Sequence, residues 1–452
     1  MDEFDDEFGP TDPPVEPEQN KEPVEVDEAD AEKEEKANES RKDLIEIGGF
    51  LGIALVTYVL YTTIITSAED VLARTTIPTS ATIICLNLPY FVLTLFVPYY
   101  IDKVPLMTKA LASLGLFALA ILLIALIKTP GLRLIGVVVA SLGMATAEIG
   151  FLSATSLHQD LAIYSFTSGT GLGAILGPAF YTAMTTFFCM HPSSAQLMLL
   201  LILPLYPVIA WFVNHYTHQP TPSARGNNVE YSRIGEDPTN QEDRHATLTW
   251  SEKVQASKCN MHLAVPLLIG LFADYATMQA VVTTIAFPNS PFDPRDHYQY
   301  YTLGFWIGEL LGRSYGLVLS WGKPDWEVVT DKTWILSAII SGNLFFLILC
   351  SVYRFLPSYV IVVLLCFVTG ASEGALYLNT FAVAGKNMRP RYKEFSRAFL
   401  TTALQGGVVL AGFTGLWLEP ALQEHCNHMI KETEYCFTRS MHGWNASVSC
   451  IN

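Results

Sequence analysis

Long apolar runs separated by short polar breaks make up most of the chain. Each apolar run is about 20 residues long or longer, which is the length that an α-helix needs to cross the hydrocarbon core of a membrane. The runs lie near residues 44–66, 81–101, 106–127, 131–155, 161–188, 195–217, 262–287, 296–320, 333–353, 357–383 and 397–419. Because a backbone inside a bilayer satisfies its polar groups in helices or closed barrels, the pattern predicts an all-α polytopic membrane protein with about eleven transmembrane helices.

The polar segments divide the chain into five predicted parts, with six apolar runs before a central linker and five after it. These parts are an acidic tail (1–43), a first transmembrane bundle (44–217), the linker (218–260), a second bundle (261–420) and a terminal tail (421–452). Residues 1–42 carry 17 Asp and Glu against five Lys and Arg. A segment this acidic, rich in Pro and poor in large aliphatic residues, is predicted to be disordered.

Composition supports a membrane protein. Of the 452 residues, 50% are hydrophobic and only 15% are charged, which is too apolar for a soluble domain with a polar surface. The net charge of −16 lies mostly in the acidic tail, and nothing in the pattern indicates a nucleic-acid partner.

The distribution of Lys and Arg predicts the orientation in the membrane. If the amino terminus is cytosolic, the cytosolic loops hold most of the basic residues, and only Arg74, Lys128, Arg133, Arg295 and Arg354 lie between spans on the opposite side. Since basic residues concentrate on the cytosolic side, we expect a cytosolic amino terminus and linker and a non-cytosolic terminal tail.

Two further features fit the non-cytosolic side. Four cysteines could share it, where disulfides are allowed; they are Cys189, Cys426, Cys436 and Cys450. Asn445 begins an Asn-Ala-Ser triplet, a glycosylation signal that also occurs by chance.

Five ionisable residues fall inside the apolar runs, where a charge costs about 2.5–3.5 kcal/mol and therefore needs a partner, a proton or a water-filled cavity. They are Glu148, Asp274, Glu309, Arg313 and Glu373. Glu148, Asp274 and Glu373 are either protonated structural carboxyls or members of a cavity that couples transport to protons. Glu148 and Glu373 also stand in similar segments, AEIGFLSAT and SEGALYLNT, on the fourth and tenth runs. These runs are equivalent in a transporter of two parallel halves, although chance similarity is an alternative.

Glu309 and Arg313 have the i,i+4 spacing of an ion pair on one helix. The two charges could simply neutralise each other within that helix. Alternatively, the guanidinium of Arg313 could bind a carboxylate or phosphate of a cargo through two parallel hydrogen bonds. Trp306 lies seven residues earlier, so it can share a helix face with Arg313 and hold a quaternary ammonium by cation–π attraction.

The segment SGTGLGAILG contains glycines four residues apart, at Gly169, Gly173 and Gly177. A nucleotide-binding loop requires a preceding strand and a soluble domain, and the apolar run around these glycines provides neither. A stripe of small residues instead allows close packing or sliding of membrane helices.

Several of these segments, in the right order, resemble the battenin family of lysosomal and vacuolar membrane proteins. They are SAEDVL (67–72), AEIGFLS, SGTGLGAILG, HYQYY with GRS (297–314) and YLNTF (377–381). The resemblance implies a major-facilitator-like fold and a lysosomal or vacuolar location. It also implies roles in luminal pH, in basic amino-acid balance and in the clearance of glycerophosphodiesters.

Three further residues are candidates for contact with the cargo. Tyr61 fits the family pattern in the first run, whereas Thr57 and Tyr58 stand where the family usually has two Asn. Asn379 and Thr380 could bind the glycerol of a glycerophosphodiester.

Two classes of function remain. The first is a secondary carrier that exports small polar catabolites, with or without protons. The second is a non-transporting scaffold that regulates trafficking or pump assembly through its cytosolic segments. No HExxH motif or paired metal ligands occur, so we expect no enzyme, metal or cofactor. In the linker, Tyr231 and Ile234 form a Tyr-x-x-apolar tetrapeptide that a clathrin adaptor could bind as an extended peptide, although such tetrapeptides also occur by accident.

Overall fold

A computed structural model describes most of the chain from residue 28 onward. It covers residues 28–71, 80–100, 104–158, 160–217, 248–291, 294–322, 329–384, 390–429 and 433–438. All regular elements within these ranges are helical. Tyr231, Ile234 and Asn445 lie outside the described residues, so their predicted roles remain predictions.

The α-helices are α1 (Glu28–Thr66), α2 (Ala68–Val71), α3 (Ser80–Thr94), α4 (Leu106–Leu126), α5 (Pro130–Ala154), α6 (Asp160–Thr182), α7 (Pro192–Met198), α8 (Leu205–Thr217), α9 (Trp250–Cys259), α10 (Met261–Ala276), α11 (Pro294–Gly322), α12 (Thr333–Tyr353), α13 (Tyr359–Val383) and α14 (Pro390–Met429). Short 3₁₀ turns lie at Val97–Tyr99, Thr155–Leu157, Leu199–Leu201, Val282–Thr284 and Thr433–Cys436. Short π-helical turns lie at Ala183–Phe187 and Thr277–Val281.

Nine segments among the described residues are long and apolar enough to cross a membrane. They are Asp43–Thr66, Thr82–Tyr99, Leu106–Leu126, Gly131–Ala154, Pro192–His215, Met261–Thr284, Thr333–Tyr353, Tyr359–Val383 and Tyr392–Met429. The polytopic all-α class is therefore confirmed, whereas the count of eleven spans remains a prediction.

The other two predicted spans, 161–188 and 296–320, form the long helices α6 and α11, of 23 and 29 residues. They are not among the nine because both helices are too polar. Helix α6 carries a run of Ser, Thr and Gly residues, nearly all buried, and α11 carries Glu309 and Arg313. A polar membrane helix is stable where it faces other helices instead of lipid.

Three helices lie across or beside predicted boundaries, which remain predictions. Helix α1 begins at Glu28, inside the tail predicted to be disordered, because residues 28–42 are rich in Glu, Lys and Ala, which favour helices. Trp250–Cys259, near the end of the predicted linker, form α9, whose first turn is closed by a reciprocal cap between Thr249 and Glu252. Helix α14 continues through Pro420 to Met429, so it extends into the predicted terminal tail.

The bundle formed by residues 43–452 brings α6 close to α1 along the glycine stripe. A Cβ atom on Gly173 would lie 2.7 Å from the carbonyl oxygen of Leu55 and 2.7 Å from the Cβ of Tyr58. Gly169 and Gly177 face the carbonyl oxygens of Leu51 and Val59 in the same way. The absence of side chains therefore sets the distance between the two helices.

A second close approach joins α11 and α13, and glycines from both helices form it. Gly308 and Gly312 of α11 face the carbonyl oxygens of Phe367 and Ala371. In return, Gly374 of α13 faces the backbone of α11, where its Cβ would lie 2.8 Å from the amide nitrogen of Arg313. This packing holds the charged residues of the two helices side by side.

Candidate functional site

A cluster of buried polar side chains lies where α1, α3, α5 and α6 of the first bundle meet α11 and α13 of the second. We call it the central cluster. Its members are Tyr58, Tyr90, Glu148, Thr170, Glu309, Arg313, Glu373 and Tyr377. All of them are less than 10% exposed, so these groups interact with one another in a medium of low dielectric constant.

Arg313 is the basic residue of the cluster, and two carboxylates hold it. One terminal nitrogen of its guanidinium lies 2.7 Å from Oε1 of Glu309 and donates to Oε1 of Glu373 at 3.0 Å. The other terminal nitrogen donates to Oγ1 of Thr170 at 2.9 Å. The predicted i,i+4 pair with Glu309 is therefore present in the structure, but Glu373 from a neighbouring helix shares the same nitrogen.

Among the described residues, Glu148 has no basic partner and instead accepts hydrogen bonds from three tyrosines. Its Oε1 accepts from the hydroxyls of Tyr58 at 2.9 Å and Tyr377 at 2.8 Å, and its Oε2 accepts from Tyr90 at 2.8 Å. A carboxylate only accepts hydrogen bonds, so the three hydroxyls match its lone pairs. The tyrosines come from α1, α3 and α13, which makes Glu148 a junction of the two bundles.

Two of these tyrosines also contact Arg313 through their ring faces. The guanidinium carbon lies 4.4 Å from the ring centroid of Tyr377 and 5.4 Å from that of Tyr58. A cation over an aromatic face within about 6 Å is attracted by the ring quadrupole. Tyr58 and Tyr377 therefore connect Glu148 to Arg313, with the hydroxyl bound to one charge and the ring to the other.

Several buried atoms of the cluster have no hydrogen-bond partner among the described residues. They are Nε of Arg313 and the Oε2 atoms of Glu309 and Glu373. Buried polar atoms are nearly always hydrogen-bonded, and an exception needs a water molecule, an ion or a function to explain it. Their concentration around one guanidinium identifies this part of the bundle as the candidate site for a polar solute.

Asp274 lies on α10, one turn before the π-helical turn at Thr277–Val281. It is 2% exposed, and its Oδ1 has no hydrogen-bond partner in the part of the chain that the structure describes. It interacts electrostatically with Glu309, Glu373 and Arg313. Asp274 thus adds a fourth buried carboxyl group to those of Glu148, Glu309 and Glu373, and π-helical turns are frequent at functional sites.

The candidate cargo contacts are spread more widely. Tyr61 donates to Oδ1 of Asn87 at 2.9 Å, and its ring lies 6.1 Å from the ring of Tyr58 at the edge of the cluster. The half-buried Trp306 packs against Phe305, with ring centroids 5.1 Å apart. The aromatic rings that contact Arg313 in this structure are therefore those of Tyr58 and Tyr377.

Asn379 and Thr380 lie nearer the end of α13. Asn379 donates to the hydroxyl of Tyr315 at 2.7 Å and accepts from the backbone amide of Thr330 at 2.7 Å, so it connects α13 to the segment before α12. Thr380 is fully buried, and its hydroxyl has no partner among the described residues. Neither residue contacts Arg313 in this structure.

Sequence reasoning missed Tyr90 and Thr170 and gave no role to Tyr58 and Tyr377. The signal was available for the tyrosines, since a Tyr in the middle of an apolar run must find a hydrogen-bond partner for its hydroxyl. No comparable signal distinguished Thr170, because a Thr in a membrane helix can bond to its own backbone.

Solved structures of three transporters share this fold. A bacterial homologue of the iron transporter ferroportin superposes with a TM-score of 0.56 at 12% identity, covering 87% of this chain and 96% of that one. A bacterial homologue of the human lysosomal transporter Spinster gives 0.52 at 12% identity, covering 87% and 93%. The E. coli fucose:proton symporter FucP gives 0.51 at 14% identity, covering 86% and 100%. The fold is therefore that of the major-facilitator transporters.

Two named relatives are similar to this chain in sequence over most of its length. Protein BTN1 of Yarrowia lipolytica is 28% identical over 400 residues, which are 85% of this chain and 95% of that protein. Battenin of Canis lupus familiaris is 26% identical over 351 residues, which are 76% of this chain and 78% of that protein. Residues 48–427 match the family described as CLN3 protein, and the chain is therefore a member of the CLN3, or battenin, family.

Proposed function

We propose that this protein is a secondary transporter of the lysosomal or vacuolar membrane, with a cytosolic amino terminus, that exports small polar catabolites. Glycerophosphodiesters are the favoured cargo class, and the export influences luminal pH and basic amino-acid balance. The family and the major-facilitator fold support transport. The observation that carries the proposal is the position of Arg313 between Glu309 and Glu373.

The charge balance of the site supports a role for protons. The site holds four buried carboxyl groups, at Glu148, Asp274, Glu309 and Glu373, and one buried guanidinium, at Arg313. If all four were ionised, the cluster would hold an excess of negative charge in a medium that solvates charge poorly. Protons on some of these carboxyls relieve that excess, and the acidic lumen of a lysosome supplies them.

Protonation and cargo binding are linked through Arg313. A phosphodiester carries one negative charge, and the guanidinium can hold its two oxygens with parallel hydrogen bonds. Glu309 and Glu373 now occupy that position. Protonating either carboxyl weakens its hold on Arg313, so an acidic lumen favours the exchange of a carboxylate for the cargo phosphate, and the neutral cytosol favours the reverse.

The tyrosines of the cluster suit the other end of such a cargo. When Arg313 turns toward a phosphate, the ring faces of Tyr58 and Tyr377 are released from their present contacts. Aromatic faces attract quaternary ammonium groups, which choline carries. Glu148, bound to the hydroxyls of both tyrosines, adds a negative charge on the far side of the rings.

Transport into vesicles tests the proposal. The purified chain is reconstituted into liposomes, and uptake is measured for glycerophosphocholine, glycerophosphoinositol, lysine, arginine and the neutral sugar glucose, with and without a proton gradient. We expect gradient-dependent uptake of the phosphodiesters by the wild type and its loss in Arg313→Gln. Arg133→Gln serves as the control, since Arg133 donates to the backbone carbonyl oxygens of Ile127 and Asp70, which are not members of the central cluster. Equal uptake of every solute by protein-containing and empty liposomes would contradict transport.

A further inference from the structure

A cavity outside the central cluster lies at the end of the bundle that the basic-residue distribution assigns to the non-cytosolic side. It has a volume of about 450 Å³ and is lined by residues 285–289, by Cys350, Arg354, Leu356 and Pro357, and by Tyr435. Its size falls within the range of small-ligand sites. None of the central-cluster residues lines it, so it is a separate place in the molecule.

Arg354 places a positive charge at this cavity. One terminal nitrogen donates to the carbonyl oxygens of Ala286 at 3.3 Å and Tyr435 at 3.2 Å. The other donates to the carbonyl oxygen of Thr284 at 2.7 Å and to Sγ of Cys426 at 2.6 Å. Every one of these partners is neutral, and no carboxylate among the described residues pairs with Arg354.

The guanidinium of Arg354 is also incompletely satisfied. Its Nε is buried without a hydrogen-bond partner among the described residues, and burial lowers the pKa of Arg354 because the charged form loses hydration. Removing a charge from water is costly unless an opposite charge compensates. Among the described residues, no negative charge therefore compensates the positive charge of Arg354.

The backbone of Arg354 is unusual as well. The residue ends α12 in the left-handed conformation, with φ of 51°. This position at a helix end is normally filled by Gly, because a Cβ atom makes the conformation unfavourable. An arginine there is consistent with a role for its side chain, since strained residues cluster at functional sites.

Apolar side chains form most of the remaining wall, including Phe287 and Leu356. The disulfide between Cys426 and Cys436 holds the turn that carries Tyr435, and Thr438 donates its backbone amide to the carbonyl oxygen of Thr283 at 2.8 Å. The wall contributed by Tyr435 is thus fixed covalently on one side and by hydrogen bonds on the other.

We propose that this cavity is a binding site for a small amphipathic anion, whose phosphate or carboxylate group pairs with Arg354 and whose apolar part lies against Phe287 and Leu356. The anionic group can belong to a soluble organic phosphate or to the headgroup of an anionic lipid. Both sources offer the same chemistry to the guanidinium.

Thermal unfolding of the full chain in nanodiscs tests the site and separates the sources. In one arm, nanodiscs of neutral phosphatidylcholine are titrated with glycerol 3-phosphate. In the other, phosphatidylglycerol replaces part of the phosphatidylcholine with no soluble anion added. We expect a saturable rise in unfolding temperature in at least one arm for the wild type, and its loss in Arg354→Gln. Arg133→Gln, which removes a positive charge and two carbonyl contacts at the same end of the molecule, should keep the wild-type response.

A second variant covers the case in which Arg354→Gln fails to fold. Leu356→Trp keeps the guanidinium but fills part of the cavity, so it should weaken the same response by at least tenfold in apparent affinity. The proposal is overturned if the wild type shows no saturable response in either arm. It is equally overturned if the folded Arg354→Gln and Leu356→Trp variants both respond like the wild type.

Discussion

The ring of Tyr377 lies 4.4 Å from the guanidinium carbon of Arg313, while the hydroxyl of the same tyrosine donates to Glu148 at 2.8 Å. One side chain of the second bundle therefore contacts the buried cation of its own bundle and the buried carboxylate of the other. A change in the position of Arg313 must alter the environment of Tyr377, and through it the hydrogen bonds of Glu148. This relationship gives the two halves of the bundle a direct physical connection.

Tyr377 should act through both its ring and its hydroxyl. Tyr377→Phe removes one donor from Glu148 and keeps the ring against Arg313, so we expect a loss of about 0.6–2 kcal/mol in stability, typical of one hydrogen bond within a membrane. Tyr377→Leu also removes the cation–π contact and should cost more and impair transport further. Thermal unfolding and liposome uptake measure both effects. Tyr90→Phe is the control, because Tyr90 also donates to Glu148, whereas the rings that contact Arg313 among the described residues are those of Tyr58 and Tyr377. Equal behaviour of Tyr377→Phe and Tyr377→Leu would contradict a role for the ring.

The close approach of α6 to α1 should not tolerate a side chain at Gly173. Gly173→Leu would place carbon atoms against the carbonyl oxygen of Leu55, and overpacking of this kind typically costs about 1–3 kcal/mol or more. We expect reduced yield of folded protein, or a folded protein that does not transport, measured by size-exclusion profile and uptake. Gly115→Leu is the matched control, since a Cβ at Gly115 in α4 would meet nothing within 4 Å. If both leucine variants fold and transport normally, the glycine stripe has no packing role.

The linker should carry the sorting signal. Tyr231→Ala removes the aromatic residue of the Tyr-x-x-apolar tetrapeptide, and we expect the protein to shift from lysosomes to the cell surface in imaging experiments. Ile234→Ala should have the same effect, because both side chains anchor such a peptide. Ser232→Ala, at a position between the two anchors, should leave the location unchanged. Unaltered lysosomal residence of Tyr231→Ala would rule out this signal.

The fold class could be predicted from the sequence because apolar runs of membrane length constrain the backbone strongly. The count of spans could not be settled in the same way. Helices α6 and α11 carry polar residues that face other helices, so hydropathy alone does not distinguish them from polar segments. The glycines four residues apart in α6 indicated a helix face without side chains, where another helix can approach closely. The sequence did not specify that this helix is α1.

The site was only partly accessible to sequence reasoning. Charged residues within apolar runs, such as Arg313 and Glu148, can be recognised from the sequence because their insertion into a membrane is costly. Their partners are not, because Glu373 lies 60 residues from Arg313 and Tyr377 lies 229 residues from Glu148. The helical spacing of Trp306 and Arg313 predicted an aromatic face on the same helix. That role of Trp306 toward a cargo ammonium stays a prediction, whereas the rings that contact Arg313 itself come from α1 and α13 and are brought there by tertiary packing.

A double replacement separates a cargo role of Arg313 from a structural one. If Glu309 only neutralises Arg313, the combination of Glu309→Gln with Arg313→Gln removes both charges and should restore folding and full transport. We expect restored folding without transport, because the cargo phosphate then has no cationic partner. Uptake of glycerophosphocholine, normalised to folded protein, measures the difference. Full transport by the double variant would assign Arg313 a structural role only.

Binding of glycerophosphocholine at acidic and at neutral pH tests most directly whether Arg313 exchanges its carboxylates for the cargo. The measurement is isothermal titration of the full chain in nanodiscs, for the wild type, for Arg313→Gln and for the combination of Glu309→Gln with Glu373→Gln. We predict that the wild type binds more tightly at acidic pH and that the double Gln variant binds with little dependence on pH. Arg313→Gln should lose at least tenfold in affinity at both pH values, or about 1.4 kcal/mol. Binding by folded Arg313→Gln with the affinity and pH dependence of the wild type would contradict the exchange.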